Sequence, residues 1–320
     1  MRGGAVVARI LRKLNHHRTT ELYFIGYPKA GSTWVRYMLG RYVQLLCRLP
    51  DIPLFDATDR WGRCESFCAG PAMQFTHRPL LWHAQRASDL DYRRVVRPFE
   101  DKRVVLLVRH PLDVLVSLWM QRKHRAEEGY GGSLLEMLDD PVWGIEKFFR
   151  FYTLWHQHRD RVNALTLLRY EDLRADPHSA FRGLLGFLGI LQQDDLLRQA
   201  VADSNFDTMK KAEAEGAGPK YRSSGLDIFA TGDPTIPDAF HVRRGKVGGF
   251  ADYLEPKEVE RLLDLIDRRL PGLFRYSAGT AHVADGSAMA VAGNGLRESG
   301  ATGTAGGGNR AREADRGSRE

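Results

Sequence analysis

The sequence predicts an α/β protein, a P-loop-like parallel sheet flanked by helices in a single domain with a disordered C-terminal tail. Three observations carry this. Apolar runs of strand length, "ELYFIGY" (21–27), "RVVLLVR" (103–109) and "ALTLLRY" (164–170), recur along the chain. A helical pattern follows each run, which is the order of a parallel sheet with helices on both faces. Between the first run and its helix lies "GYPKAGST", a glycine turn where a phosphate-binding loop would sit.

The first run stops at Pro28. Beyond it Trp34, Val35, Tyr37, Met38, Leu39, Tyr42, Val43 and Leu46 form a broad apolar stripe from about Ser32 to Cys47. After the second run, Pro111 suits the first position of a helix reaching about Lys123. "WGIEKFFRFYTLWHQH" (143–158) reads as an aromatic-rich helix, and "DPHSAFRGLLGFLG" starts another near Asp176. From Glu213 to Phe240 the composition turns to Gly, Pro, Ser and Asp without periodicity; loops of that length are mobile or functional, often as lids. A last helix, "PKEVERLLDLIDRRL" (256–270), begins at Pro256 with Val259, Leu262, Leu263 and Ile266 on one face. After about Ser277 the chain is too rich in small residues to offset its ordering entropy by burial. The expected organisation is a basic arm over 1–20, a domain over 21–277 and a disordered tail over 278–320.

Composition narrows the function. The formal net charge is +7, and Arg2, Arg9, Arg12, Lys13 and Arg18 place +5 of it in an arm without acids. The tail from Gly279 balances five arginines against five acids, so no general nucleic-acid surface is indicated. In the arm, Val6, Val7, Ile10 and Leu14 fall on one side, a pattern suited to weak association with a membrane surface or to a flexible or packed helix. Its charges exclude a spanning segment. Three cysteines, Cys47, Cys64 and Cys68, are too few for a zinc site or a disulfide framework and fit reduced thiols in a cytoplasmic protein.

The chemistry concentrates at two places. Gly26 and Gly31 keep the spacing of G-x-x-x-x-G-K-[ST], yet Ser32 and Thr33 follow Gly31 directly and Lys29 sits inside the turn. The second apolar run ends on Arg109 rather than on the aspartate that holds Mg²⁺ in nucleotidases, so the loop suits a phosphate that needs no metal. Ser117 lies eight residues past Arg109, and a strand-end guanidinium and a helix hydroxyl can converge on one oxyanion. Each also has a plain structural use, Arg109 in an ion pair and Ser117 on its own helix backbone. A metal-dependent small-molecule kinase is disfavoured by Ser32 and Arg109, while a non-catalytic nucleotide-binding module would keep the same residues.

"YPKAGSTW" (27–34), "VRHPLDVLVS" (108–117), "RYEDL" (169–173) and "RRGKVGGF" (243–250), in this order, resemble the sulfotransferases that use 3′-phosphoadenosine 5′-phosphosulfate (PAPS). The resemblance covers roughly residues 20 to 275. It implies that Lys29, Gly31, Ser32, Thr33 and Trp34 form the 5′-phosphosulfate loop, with Trp34 near the adenine. Arg109 and Ser117 match the pair that holds the 3′-phosphate, and Arg243, Arg244 and Gly245 match the late segment that closes on it. Tyr170, Ser204 and Phe206 match adenine contacts. By the same resemblance Lys29 would face the bridging oxygen where charge grows as the sulfuryl group leaves, and no metal is required.

"QFTHRPLLW" (74–82) resembles the segment carrying the catalytic histidine of the cytosolic branch, with His77 at the matching position; His83 and Glu65 are the alternatives for the base. Phe75, Gly249 and Phe250 depart from residues common in the family, a lysine, an aspartate and a tryptophan. The implied reaction moves a sulfuryl group from PAPS to a hydroxyl, or less readily an amine, of a small-molecule, lipid or carbohydrate acceptor, leaving 3′,5′-adenosine bisphosphate (PAP). Trp82, Tyr130, Phe148, Phe151 and Trp155 could line an acceptor pocket or fill the core.

Overall fold

The computed structural model of the protein describes residues 19–49, 54, 70–77, 85–125, 129–214, 240 and 242–276. Four parallel strands form its sheet in the order β2-β1-β3-β4, with β1 at Leu22–Gly26, β2 at Met73–Thr76, β3 at Arg103–Val108 and β4 at Ala164–Arg169. Strand β1 pairs with β2 from Leu22↔Met73 and with β3 from Leu22↔Arg103, and β3 pairs with β4 from Arg103↔Ala164. All five residues of β1 are buried, as befits an inner strand covered on both faces. The three apolar runs are strands as expected. Strand β2 is an addition: it has four residues and only Met73 is buried, too little for periodicity to stand out.

The helices are α1 (Ser32–Cys47), α2 (Pro111–Arg125), α3 (Ile145–His158), α4 (Tyr170–Ala175), α5 (Pro177–Leu188), α6 (Asp194–Asp203), α7 (Phe206–Ala214) and α8 (Pro256–Arg269), with shorter turns between them. Pro111, Pro177 and Pro256 each open a helix, where a missing N–H costs nothing. Asp176 caps α5 by accepting the Ser179 N–H at 3.0 Å.

Alternate strand residues feed two cores. Tyr23, Ile25, Val104, Leu106 and Val108 pack with Leu115, Phe148, Trp155 and Ile266 from α2, α3 and α8. Leu22, Phe24, Val105 and Leu107 pack on the other face with Val35, Leu39, Phe181 and Leu197 from α1, α5 and α6. Phe148, Phe151 and Trp155 thereby resolve as core, all at most 1% exposed, rather than as pocket lining. Tyr130 packs half-buried against the same core. Lys147, within this aromatic helix, is fully buried; its Nζ donates to the Gln85 and Val142 carbonyls at 2.8 and 3.0 Å, and burial lowers its pKa to about 8.

The first two residues of the segment expected to be aperiodic are helical. Glu213 and Ala214 end α7, and buried Glu213 accepts the Val242 N–H at 2.7 Å. Most of the remaining 215–240 stretch lies outside the described residues, as do residues 1–18, the tail from Ser277, Cys64, Glu65, Cys68, Trp82 and His83. Among the described residues no helix is long and apolar enough to cross a membrane.

The strand order positions the site. From β1 the chain goes to β2 on one side, then returns to β3 on the other, so the direction of winding reverses between β1 and β3. In open parallel sheets ligands bind outside the carboxyl ends of the strands at such a reversal. The turn after Gly26 and the residues after Val108 both end there.

Candidate active site

The turn after β1 is built around two left-handed backbones. Lys29 has φ 73° and Gly31 φ 100°. At Gly31 a Cβ would be strained and would also lie 2.8 Å from Tyr170 Cδ2, so glycine is required twice over. The turn closes with Ala30 N–H donating to the Tyr27 carbonyl at 3.1 Å, and α1 starts with Trp34 N–H on the Gly31 carbonyl at 3.0 Å. Gly31 caps α1 without a side chain, so the helix N-terminus and its partial positive charge face the turn, a place for an anion.

Arg109 follows β3 and ties the neighbouring segments together. Its Nη1 donates to the Lys29 carbonyl and its Nη2 to the Lys246 carbonyl, both at 3.3 Å, and its guanidinium carbon lies 4.2 Å from the Tyr170 ring centroid. Asp113, four residues on, comes within 3.9 Å of Nη2. The buried Nε of Arg109 has no partner among the described residues. A guanidinium so placed can receive a further anion. Ser117 lies one helical turn past Asp113 on the same side of α2, partly exposed.

An aromatic wall stands beside the turn. Trp34 and Tyr170 meet edge to face with centroids 5.6 Å apart, and Trp34 Nε1 donates to the Ser204 carbonyl at 2.8 Å. Ser204 is fully buried, and its Oγ has no partner among the described residues. A cavity of about 350 Å³ opens here, lined by Trp34, Leu173, Arg174, Val201, Asn205 and Phe206 among others. Phe206 also packs on the late segment: at Gly245, with φ 60°, a Cβ would lie 2.6 Å from Phe206 Cδ2.

The late segment arrives close but with its arginines turned elsewhere. Arg243 donates to the Tyr253 hydroxyl, and Arg244 to Asp252 at 3.2 Å. Lys246 Nζ also bonds Asp252 at 2.9 Å, and these cations hold the Asp252 carboxyl below its usual range. The backbone at Lys246 and Gly245, rather than the arginine side chains, therefore makes the contacts to Arg109 and Phe206. The Arg244–Asp252 pair is exposed, so that arginine can exchange partners.

His77 follows β2, one residue past the Ile25↔Thr76 pair that ends the β1–β2 register. Its Nδ1 lies 2.9 Å from the Gly26 carbonyl. A carbonyl only accepts, so Nδ1 carries the proton and Nε2 holds the lone pair. Burial, with Lys29 nearby, lowers the imidazole pKa against the opposing pull of that carbonyl. His77 is therefore a neutral imidazole beside the turn that carries Lys29, a base near neutral pH.

Several residues of the site escaped the sequence reading. Asp113 and Glu171 are buried carboxylates flanking Arg109, and burial raises the pKa of each. Glu171 Oε1 accepts the His110 N–H at 2.9 Å, linking the strand ends of β3 and β4. His110 stacks on Phe250 with centroids 4.8 Å apart; burial and Arg109 push its pKa down to about 4. Arg174, 5.9 Å from the Trp34 ring, is the cation at the cavity. Asp113 and His110 lie within "VRHPLDVLVS" and Glu171 within "RYEDL", so the motifs were visible while these residues' roles were not. Among the described residues no group of three His, Cys, Asp or Glu side chains could hold a metal ion.

Comparison with known proteins supplies the context. Residues 19–274 match the family model described as the sulfotransferase domain. Cytosolic sulfotransferase 17 of Arabidopsis thaliana is 25% identical over 284 residues, covering 80% of this chain and 75% of that protein. The amine sulfotransferase of Oryctolagus cuniculus is 23% identical over 261 residues, 79% of this chain and 82% of its own. Among solved structures, a mouse sulfotransferase complexed with PAP superposes with a TM-score of 0.52 at 18% identity, covering 79% of this chain and 86% of that one. Retinol dehydratase in complex with androsterone and the inactive cofactor PAP gives 0.54 at 16% identity, with 81% and 83% covered. At such identities the structures speak for the fold.

Proposed function

This chain belongs to the sulfotransferase family, whose domain spans residues 19–274, and from that premise we infer how its residues divide the work of sulfuryl transfer from PAPS to an acceptor. Arg109 carries the reading: one side chain joins the Lys29 carbonyl, the Lys246 carbonyl and the Tyr170 ring at the sheet's reversal point. The donor fits what is there. Two buried polar atoms beside the turn and the aromatic wall, Arg109 Nε and Ser204 Oγ, find no partner among the described residues, and the cavity at Trp34 and Phe206 is of a size and aromatic lining that suit a purine.

In this assignment the 5′-phosphosulfate is held by Lys29, Gly31, Ser32 and Thr33 at the N-terminus of α1, and the 3′-phosphate by Arg109 and Ser117. Trp34, Tyr170, Ser204 and Phe206 enclose the adenine. Arg243 and Arg244 leave Tyr253 and Asp252 to complete the 3′-phosphate site, beside Gly245. His77 Nε2 takes the proton of the acceptor hydroxyl as its oxygen bonds to sulfur. Lys29 supports the charge left on the bridging oxygen as the bond to the 5′-phosphate breaks. The proposed domain runs over 21–277, with the basic arm before it and the tail after it. The acceptor is proposed as a small molecule with a hydroxyl, or less readily an amine; the relatives named above, including one that holds androsterone, favour that class over a carbohydrate or a bulk lipid.

Arg109→Ala is expected to fold and to weaken PAP binding by about 1.5–3 kcal/mol, the range for a hydrogen bond to a charged group. Calorimetric titration checks it, and equal PAP affinity in both proteins would remove Arg109 from the donor site. Because the proposed leaving-group support comes from Lys29, loop amides and hydroxyls, chelation of divalent metals is expected to leave turnover of a hydroxyl acceptor largely intact. Abolition by chelator with recovery on adding Mg²⁺ would reverse that assignment.

A further inference from the structure

We propose that Asp113 is a positioning residue of the donor site, tying the 243–250 segment to Arg109 and so setting the preference for a nucleotide that carries a 3′-phosphate. This rests on the donor-site reading above. Asp113 sits in the first turn of α2 and is 3% exposed. Its Oδ2 accepts the Gly248 N–H at 2.9 Å and its Oδ1 the Phe250 N–H at 3.1 Å. The same Oδ2 lies 3.9 Å from Arg109 Nη2, and Arg109 in turn donates to the Lys246 carbonyl. Residues 246, 248 and 250 are thus fastened at successive points to the strand end and first helical turn that carry Arg109. His110 adds a fourth contact by stacking on Phe250.

A buried carboxylate would ordinarily be a poor neighbour for a phosphate. Here both oxygens are occupied by backbone N–H groups and the guanidinium offsets the charge, so Asp113 acts on the segment rather than on the anion. Its reach is also selective. The turn at Lys29 and the Trp34–Tyr170 wall are built by β1, α1 and α4, and none of the Asp113 hydrogen bonds goes to them. A nucleotide that has a 5′-phosphate but no 3′-phosphate should therefore respond far less to the loss of this carboxylate, which connects with the Lys29 carbonyl and the Tyr170 ring only through Arg109.

The test titrates the full chain, Asp113→Asn and Asp113→Ala with PAP and with adenosine 5′-monophosphate. The asparagine keeps one accepting oxygen and sets its NH₂ against the other backbone N–H. PAP binding is expected to weaken about tenfold or more in either variant, while monophosphate binding changes less than about twofold. Equal losses for the two nucleotides would mean a general structural role, and unchanged PAP affinity would mean no role; each overturns the proposal. Should the alanine variant not fold, the near-isosteric asparagine carries the measurement. A wild-type chain that binds the monophosphate as tightly as PAP would instead sink the donor-site reading, whereas a wild-type PAP preference retained by Asp113→Asn sinks the Asp113 proposal alone.

Discussion

His77→Ala is expected to lower turnover by about 10²–10⁴-fold while leaving PAP binding unchanged. The size follows from the role: the alanine removes the group that takes the acceptor proton, and that group is not among the residues assigned to hold the donor. The tautomer argues for the same assignment, since the Gly26 carbonyl occupies Nδ1 and directs the basic lone pair to Nε2. Because its pKa lies below the usual 6.5, the imidazole stays neutral at pH 7, and the acid limb of the rate profile should fall below pH 6.5. The same depression means that the folded state binds fewer protons than the unfolded one on that side. The stability His77 contributes is present above its unfolded pKa of 6.5 and is lost as pH falls through the folded value. A folded His77→Ala enzyme that binds PAP normally and turns over at more than about a tenth of the wild-type rate would place the base elsewhere, with Glu65 and His83 next to be tested. A wild-type chain that binds PAP yet transfers to no acceptor would mark a non-catalytic module.

Lys29→Ala is expected to cut turnover by about 10²-fold or more and to affect PAP binding far less. The amine is needed most when the bridging oxygen becomes anionic, which occurs in the transition state and hardly in the bound donor. Alanine is also a fair reference for the backbone. Lys29 holds a left-handed conformation at φ 73°, a cost of order 1 kcal/mol for any residue with a Cβ, and alanine bears that cost as lysine does. A glycine there would relax the turn and blur the comparison. Equal losses in single-turnover rate and in PAP affinity would show Lys29 to be a binding residue only.

How much of this could be read beforehand depended on whether a feature was local. The buried strands and the long amphipathic helices were legible because each declares itself within one stretch of chain: continuous apolar runs, a proline at the first turn, a stripe at helical spacing. Lys147 was not legible, since its burial depends on carbonyls at Gln85 and Val142 that happen to converge on it. The motif around Arg109 drew notice for its arginine and serine. Asp113 between them passed unmarked, because its partners Gly248 and Phe250 are 135 and 137 positions away. Arg243 and Arg244 were identified by resemblance, but no local pattern tells that Tyr253 and Asp252 hold them. Strand β2 was too short to see, although His77 at its end was noticed.

The central place of β1 has a bearing on how the molecule is made. Leu22 sits among the first described residues, yet its partners are Met73 and Arg103, and β3 in turn waits for Ala164. Every ladder in the sheet is non-local, so loop-closure entropy must be overcome before any strand pair forms, and such topologies fold slowly. On a ribosome working from the N-terminus, β1 emerges as a bare apolar segment and stays unpartnered on its inner side until β3 has cleared the exit. That interval is when association between nascent copies is most favourable. A substitution that makes the exposed Glu21 apolar would then lower the yield of protein while leaving the finished enzyme unaltered.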